Sequence, residues 1–348
     1  MKATTIGFDL AKAEFQVHAV DAAGKVVMRK KLRRAQVLPF FAKLSGCTVG
    51  MEACASAHHW ARKLIGLGHT AKLMAPQFVK PYVKANKTDA ADAEAICEAV
   101  ARPNMRFVPV KSVEQQAILA VHRVRSGLVA ERTAELNRLR ALLAEFGLIA
   151  PRGRRALIER LPALLADETL PGVARQLFER QSTRMRELEA QITAEEAVIM
   201  HWHRNNELCR RIDAVAGVGP ITATALVASF GEAREFDNGR QLAACLGLVP
   251  RQHSSGGKTR LLGISKRGDS YVRMLLIHGA RAVIRTLERR ARGALNRTDQ
   301  WLTKLLARRN PNVAAVALAN KTVRVIWALL AHDRTYDRNW MNQQPIAA

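Results

Sequence analysis

The sequence predicts an α+β or α/β domain, then a long helical coiled-coil arm, then an all-α domain, with boundaries near 1–108, 109–204 and 205–335. Three observations predict it. Short β-rich runs alternate with helical segments over the first hundred residues. Two long stretches of 3.6-residue apolar periodicity follow. Beyond Ile212 come compact apolar helical segments separated by Gly-containing turns.

In the first part, residues 4–10 (TTIGFDL), 15–20 (FQVHAV) and 26–32 (VVMRKKL) read as strands. Asp21-Ala-Ala-Gly24 reads as a hairpin turn and 11–14 as a tight connection. Residues 35–45 look helical, 47–51 form a short apolar strand ending at Glu52, 56–68 are helical, 70–75 form a strand, and Thr88 to about Ala101 an amphipathic helix. That order, βββ-α-β-α-β-α, is the order of a mixed sheet with helices on its faces. In the arm, residues 113–146 place Ile118, Val121, Val124, Leu128, Leu136, Leu139 and Leu143 on one stripe, and 173–203 carry Leu177, Met185, Leu188, Ile192 and Ile199. Pro151-Arg-Gly-Arg-Arg155 breaks the pattern, so two long helices joined by a short turn are expected, either as an antiparallel oligomerisation surface or packed on their own domain.

The chain has 348 residues, 48% of them hydrophobic, and 55 Lys+Arg against 30 Asp+Glu, a formal net charge of +25. Basic residues recur along most of the chain past residue 100, which suits a long polyanion better than a small acidic ligand. No apolar run approaches the ~20 residues of a spanning helix, and no signal-peptide core is visible, so no membrane partner is expected. Five cysteines (47, 54, 97, 209, 245) form no CxxC pair, which points to reduced thiols and a cytoplasmic location.

Asp9, Glu52, Asp89 and Asp92 lie where strands end or a helix begins. A carboxylate at the centre of a sheet is costly unless paired or metal-bound. Asp89 and Asp92, three apart, share a helix face, although acids in a first turn are also ordinary dipole partners. Four hard oxygen donors favour Mg²⁺ or Mn²⁺ with a substrate phosphate completing the shell. Two such ions about 4 Å apart stabilise both the attacking and the leaving oxygen of a phosphate. A basic chain with an acid cluster therefore points to metal-dependent chemistry on nucleic acid. His58-His59 and His201/His203 lack partners at ligand spacing and read as surface or core histidines.

Two later features bear on nucleic acid. Gly217-Val-Gly219-Pro220 resembles a helix-hairpin-helix turn, whose backbone amides can meet a phosphate, or is a simple turn between core helices. Pro250-Arg-Gln-His-Ser254-Ser255-Gly256-Gly257-Lys258 reads as a flexible exposed loop beside Arg251, Lys258, Arg260, Lys266 and Arg267. It is either a basic DNA-binding loop or one whose serine attacks a phosphodiester among cations.

GFDLAK, VGMEACASAHHWARKL, NKTDAADAEAI, the long middle helix, AGVGPITA and LAACLGLVPRQHSSGGKTRLLGISKRGDSYVRMLL together resemble the bridge-RNA-guided DEDD transposases of the insertion-sequence one-hundred-and-ten family, eleven-eleven subgroup. The likeness runs from about residue 4 to 330. It implies a RuvC-like (ribonuclease H-type) N-terminal domain in which Asp9, Glu52, Asp89 and Asp92 hold Mg²⁺. It also implies a C-terminal domain supplying a nucleophilic serine, with Ser255 the better match and Ser254 in reserve. In such enzymes the serine joins DNA covalently, a metal site from another protomer activates the phosphate, and a noncoding bridge RNA pairs with donor and target DNA. A homo-oligomer, a dimer or a tetramer in the synaptic complex, and a nucleoid-associated bacterial setting follow from the same likeness. The alternatives are a RuvC-like nuclease that cuts branched DNA with water, a non-catalytic nucleic-acid binder, and an actin-like ATPase.

Overall fold

The computed structural model describes residues 2–84, 88–289 and 296–337, and the chain divides into two compact units, Met1–Gln116 and Ala117–Ala348.

The first unit is built on a six-stranded mixed sheet in the order β3-β2-β1-β4-β5-β6. Its strands are β1 (Thr5–Asp9), β2 (Glu14–Val20), β3 (Val26–Arg33), β4 (Thr48–Glu52), β5 (Thr70–Met74) and β6 (Phe107–Val108). β1 is antiparallel to β2 and parallel to β4, and β4 is parallel to β5. The predicted turn at Asp21–Gly24 is made by the Asp21 carboxylate, which accepts the Ala23 and Lys25 amides at 3.0 and 2.9 Å, and by Gly24 at φ +78°. Side chains alternate across the sheet. Ile6, Phe8, Val49 and Met51 therefore face one core, where Phe8, Phe15, Phe41 and Trp60 pack ring against ring. That face is covered by α1 (Val37–Phe41), shorter than the predicted 35–45, and by α2 (Ala57–Gly66). The short α3 (Pro76–Val79) and then α4 (Asp89–Val100) follow β5. α4 lies on the opposite face, over Gly7 and Gly50. β6 was not expected from the sequence.

From Ala117 onward in the second unit, α5 (Val113–Glu145) and α7 (Gly172–Asn205) run antiparallel, bridged by Arg125–Glu196 at 2.5 Å and Arg132–Glu189 at 2.6 Å. They are not joined by a short turn. α6 (Arg154–Leu165) intervenes, and Leu157, Leu161 and Leu164 complete a core with Leu139, Leu143 and Phe178. Pro151 and Pro162 hid this helix in the sequence, because proline argues against a helix interior. Val124 of the expected apolar stripe is 52% exposed.

α8 (Glu207–Asp213), α9 (Pro220–Phe230), α10 (Gly239–Cys245), α11 (Ser270–Arg289), α12 (Arg297–Leu306) and α13 (Pro311–Ala331) form the remaining core of this unit. The prediction of an all-α C-terminal domain is corrected by an antiparallel hairpin, β7 (Pro250–Gln252) with β8 (Leu261–Ile264). The prediction about apolar runs is corrected as well. α13, 21 residues, is long and apolar enough to cross a membrane, yet it carries Lys321 and Arg324, and half of its most apolar window is buried inside the protein.

Candidate active site

Asp9 and Glu52 are the last residues of β1 and β4. The two strands are parallel with Gly7 opposite Gly50, so the same offset carries Asp9 to the level of Glu52. Both are two residues on from those glycines and so share their face, the one covered by α4. The glycines are what let the helix lie there. A Cβ on Gly7 would sit 2.0 Å from the Ala93 carbonyl oxygen and 2.4 Å from the Cys97 nitrogen, and one on Gly50 would sit 2.7 Å from Val100 Cβ. Cys97 Sγ, one turn further on, donates to Thr5 O at 3.7 Å, so α4 runs antiparallel to β1 with its N-terminus over the strand ends. Its first turn carries Asp89, exposed, and Asp92, half-buried. Thr88 caps it, Oγ1 accepting the Ala91 amide at 3.2 Å. Asn86 and Lys87 of the NKTDAAD segment lie outside the described residues.

All four predicted acids thus belong to one end of the sheet. The donor set, carboxylates alone, fits a hard divalent cation. Among the described residues, however, no three His, Cys, Asp or Glu side chains stand close enough to hold one. Two further features mark this end. The Cys54 thiol, exposed at the surface yet partly desolvated by its neighbours, is pushed up by that desolvation and then by the charges of Glu52 and Asp9, which places both carboxylates in its field. Ser56, starting α2, has φ +69°, a left-handed conformation that costs a non-glycine residue of order 1–3 kcal/mol and collects at functional turns.

The segment around the two serines is an ordered turn rather than a flexible loop. Ser255 and Lys258 form an antiparallel bridge, with Lys258 N donating to Ser255 O at 3.1 Å. Gly256 and Gly257 between them have φ +55° and +76°, positive at both central positions as a type I′ turn demands. Ser254, Ser255, Arg251, Lys258 and Arg260 are all exposed. Below the hairpin, Leu262 and Ile264 line a cavity of about 1670 Å³ that reaches α13.

Lys266 and Arg267 sit on a braced turn. Lys266 has φ +55°, and the Arg273 guanidinium donates to Arg267 O at 2.7 Å and Leu246 O at 3.0 Å. A Cβ on Gly268 would fall 1.8 Å from Cys245 O. The Asp269 carboxylate caps α11 by accepting the Tyr271 and Val272 amides. In the Gly217–Pro220 turn between α8 and α9, Gly217 (φ +84°) packs on α11. Its Cβ would lie 2.9 Å from Gly279 O, and a Cβ on Gly279 would lie 1.9 Å from Gly217 O. Gly219 is exposed.

Of the histidine pairs, His58 Nδ1 accepts the Lys111 amide at 3.2 Å, and His203 is buried 3.6 Å from Asp213. A histidine the sequence reading passed over is more constrained. His122, 1% exposed, contacts Thr224 Oγ1 through Nε2 at 2.9 Å and Tyr271 Oη through Nδ1 at 3.0 Å. Thr224 donates its single proton to the Pro220 carbonyl at 2.7 Å, so Nε2–H donates to Thr224 and Nδ1 accepts from Tyr271. Burial, then Arg125, pushes its pKa down to about 4. It falls within the apolar stripe of α5, where a lone histidine carries no periodic signal.

Residues 6–147 match a family model described as a transposase, of the DEDD IS110 type, and residues 209–295 match the model for the transposase IS116/IS110/IS902 family. A probable family 20 transposase of Pseudomonas aeruginosa is 55% identical over 97% of this chain and 99% of its own length. The transposase for insertion sequence element IS1111A of Coxiella burnetii is 45% identical over 95% and 90%. That for IS1328 of Yersinia enterocolitica is 41% identical over 96% and 99%. The chain belongs to the IS110/IS116/IS902 family of insertion-sequence transposases, enzymes that cut and rejoin DNA, and within it to the 1111 subgroup.

Proposed function

We propose that this transposase exchanges DNA strands through a composite site, one half being Asp9, Glu52, Asp89 and Asp92 and the other Ser255. The observation that carries the reading is the shared face of Asp9 and Glu52 beneath the acidic first turn of α4. The four carboxylates would hold Mg²⁺ or Mn²⁺ after drawing together around it. When bound, that cation neutralises charge on the phosphate under attack. Ser255, at the tip of the hairpin, would attack the phosphorus, so that a phosphoserine ester stores the bond energy for rejoining. Arg251, Lys258, Arg260, Lys266 and Arg267, with the amides of the Gly217–Gly219 turn, would grip the backbone phosphates of donor and target duplexes. A noncoding bridge RNA would choose the sequences by base pairing. The α5–α7 arm would join protomers into a dimer and, in the synaptic complex, a tetramer, acting at the nucleoid in the cytoplasm.

A suicide DNA substrate tests the nucleophile. A covalent protein–DNA adduct is expected with the native chain and lost in Ser255→Ala. Adducts persisting in both Ser255→Ala and Ser254→Ala would sink the serine reading and leave a water-using nuclease. RNA recovered with the native protein tests the guide.

A further inference from the structure

The hairpin register assigns partners to the serine. Ser255 pairs with Lys258, His253 N donates to Arg260 O at 3.0 Å, and Gln252 pairs with Leu261, so one continuous register runs down from the turn. Alternation then sorts the side chains. Ser255, His253, Lys258 and Arg260 stand on one face. Ser254 and Gln252 stand on the other, where Gln252 Nε2 donates to Ser254 Oγ at 2.8 Å. Directly opposed residues hold their Cβ atoms about 5 Å apart, and next-but-one residues of a strand are about 7 Å apart. A lysine, a histidine and an arginine are thus all within side-chain reach of one exposed serine.

We infer that His253 is the general base for Ser255 and that Lys258, across the turn, holds the phosphate being attacked. The inference rests on the proposed serine chemistry and deepens it. It also separates the two serines, since Ser254 lies on the face away from the base. Neutral imidazole takes the hydroxyl proton as the Oγ–P bond forms and the bond from phosphorus to the departing deoxyribose oxygen breaks. That oxygen gains a proton from solvent. Rejoining reverses both transfers: imidazolium returns its proton to Oγ as a new hydroxyl attacks the phosphoserine. The Lys258 ammonium meets the charge that builds on the non-bridging oxygens. The charged groups facing His253 are Lys258 and Arg260 on the opposite arm of the hairpin and Arg251 on its own arm.

The test is the single-turnover rate of adduct formation on the suicide DNA at saturating substrate, measured across pH, beside the DNA affinity and melting temperature of each variant. His253→Gln should slow the adduct roughly 100-fold or more, the span of general-base contributions. It should also change the pH profile of that rate, while affinity and melting stay native. Lys258→Met should slow it about 100-fold at saturation, as loss of one charge-stabilising donor does, and Lys258→Arg should restore most of the rate. A native rate and native pH profile in His253→Gln would overturn the inference while leaving Ser255 as nucleophile. An adduct that survives Ser255→Ala, or none with the native chain, would overturn the underlying reading and the inference with it.

Discussion

The buried His122 makes the stability of the second unit depend on acid in a calculable way. In the folded protein it is neutral, 1% exposed and hydrogen-bonded on both nitrogens, with its pKa down at about 4 against an ordinary 6.5. Above pH 6.5 neither the folded nor the unfolded chain protonates it, and the site contributes no pH dependence. As pH falls from 6.5 towards 4 the unfolded chain takes up a proton that the folded chain refuses, so stability is lost across that window. The difference in proton affinity, roughly 300-fold, amounts to about 3 kcal/mol when complete, a large share of a domain's net stability. His122→Gln keeps a donor for Thr224 and an acceptor for Tyr271 but cannot titrate. Urea unfolding followed by tryptophan fluorescence should therefore show the native chain losing about 2–3 kcal/mol relative to the variant between pH 7 and 4.5. The carboxylates titrate alike in both and cancel in the difference. If the two stability curves stay parallel to within about 0.5 kcal/mol, the imidazole is not held neutral and the argument fails.

Other outcomes follow from particular contacts. Gly7→Ala would drive a methyl into the Ala93 carbonyl, at 2.0 Å. Such overpacking costs typically about 1–3 kcal/mol, and calorimetry should find it in the melting of the first unit. Asp92→Asn should cut strand cleavage by roughly 100-fold or more, at least about 2.7 kcal/mol of barrier, while duplex binding in a filter assay changes less than threefold, roughly 0.6 kcal/mol. Affinity for duplex DNA should fall steeply and linearly in log–log terms with salt, since each neutralised phosphate releases counterions. A flat dependence would contradict the reading of the +25 charge.

Much of the first unit was legible because its signals are local. TIGFD and TVGME are apolar runs closed by an acid, and the Asp21–Gly24 turn has the residues its geometry demands. The ends of β1 and β4 could thus be named, but not their parallel pairing, which is a long-range fact. The closeness of α4 to the sheet was written only as two glycines. β6 is two residues long, too short for any period. α6 was obscured by Pro162, and the β7–β8 hairpin by a Ser-Gly stretch whose composition reads as coil although its two glycines supply a tight turn. His122 is invisible to pattern altogether, since its partners Thr224 and Tyr271 come from α9 and α11.

The glycines at backbone contacts have a genetic consequence. Any single-base change in the first or second position of a glycine codon that does not stop translation adds at least a β-carbon. At Gly7, Gly268 and Gly279 that carbon would land 1.8–2.0 Å from a carbonyl oxygen of a neighbouring segment. Insertion sequences leave copies that drift once transposition no longer selects them. Those three codons can therefore help to sort such copies, because a copy that has lost one of these glycines encodes a chain strained at a backbone contact, whatever the state of its acids and its serines.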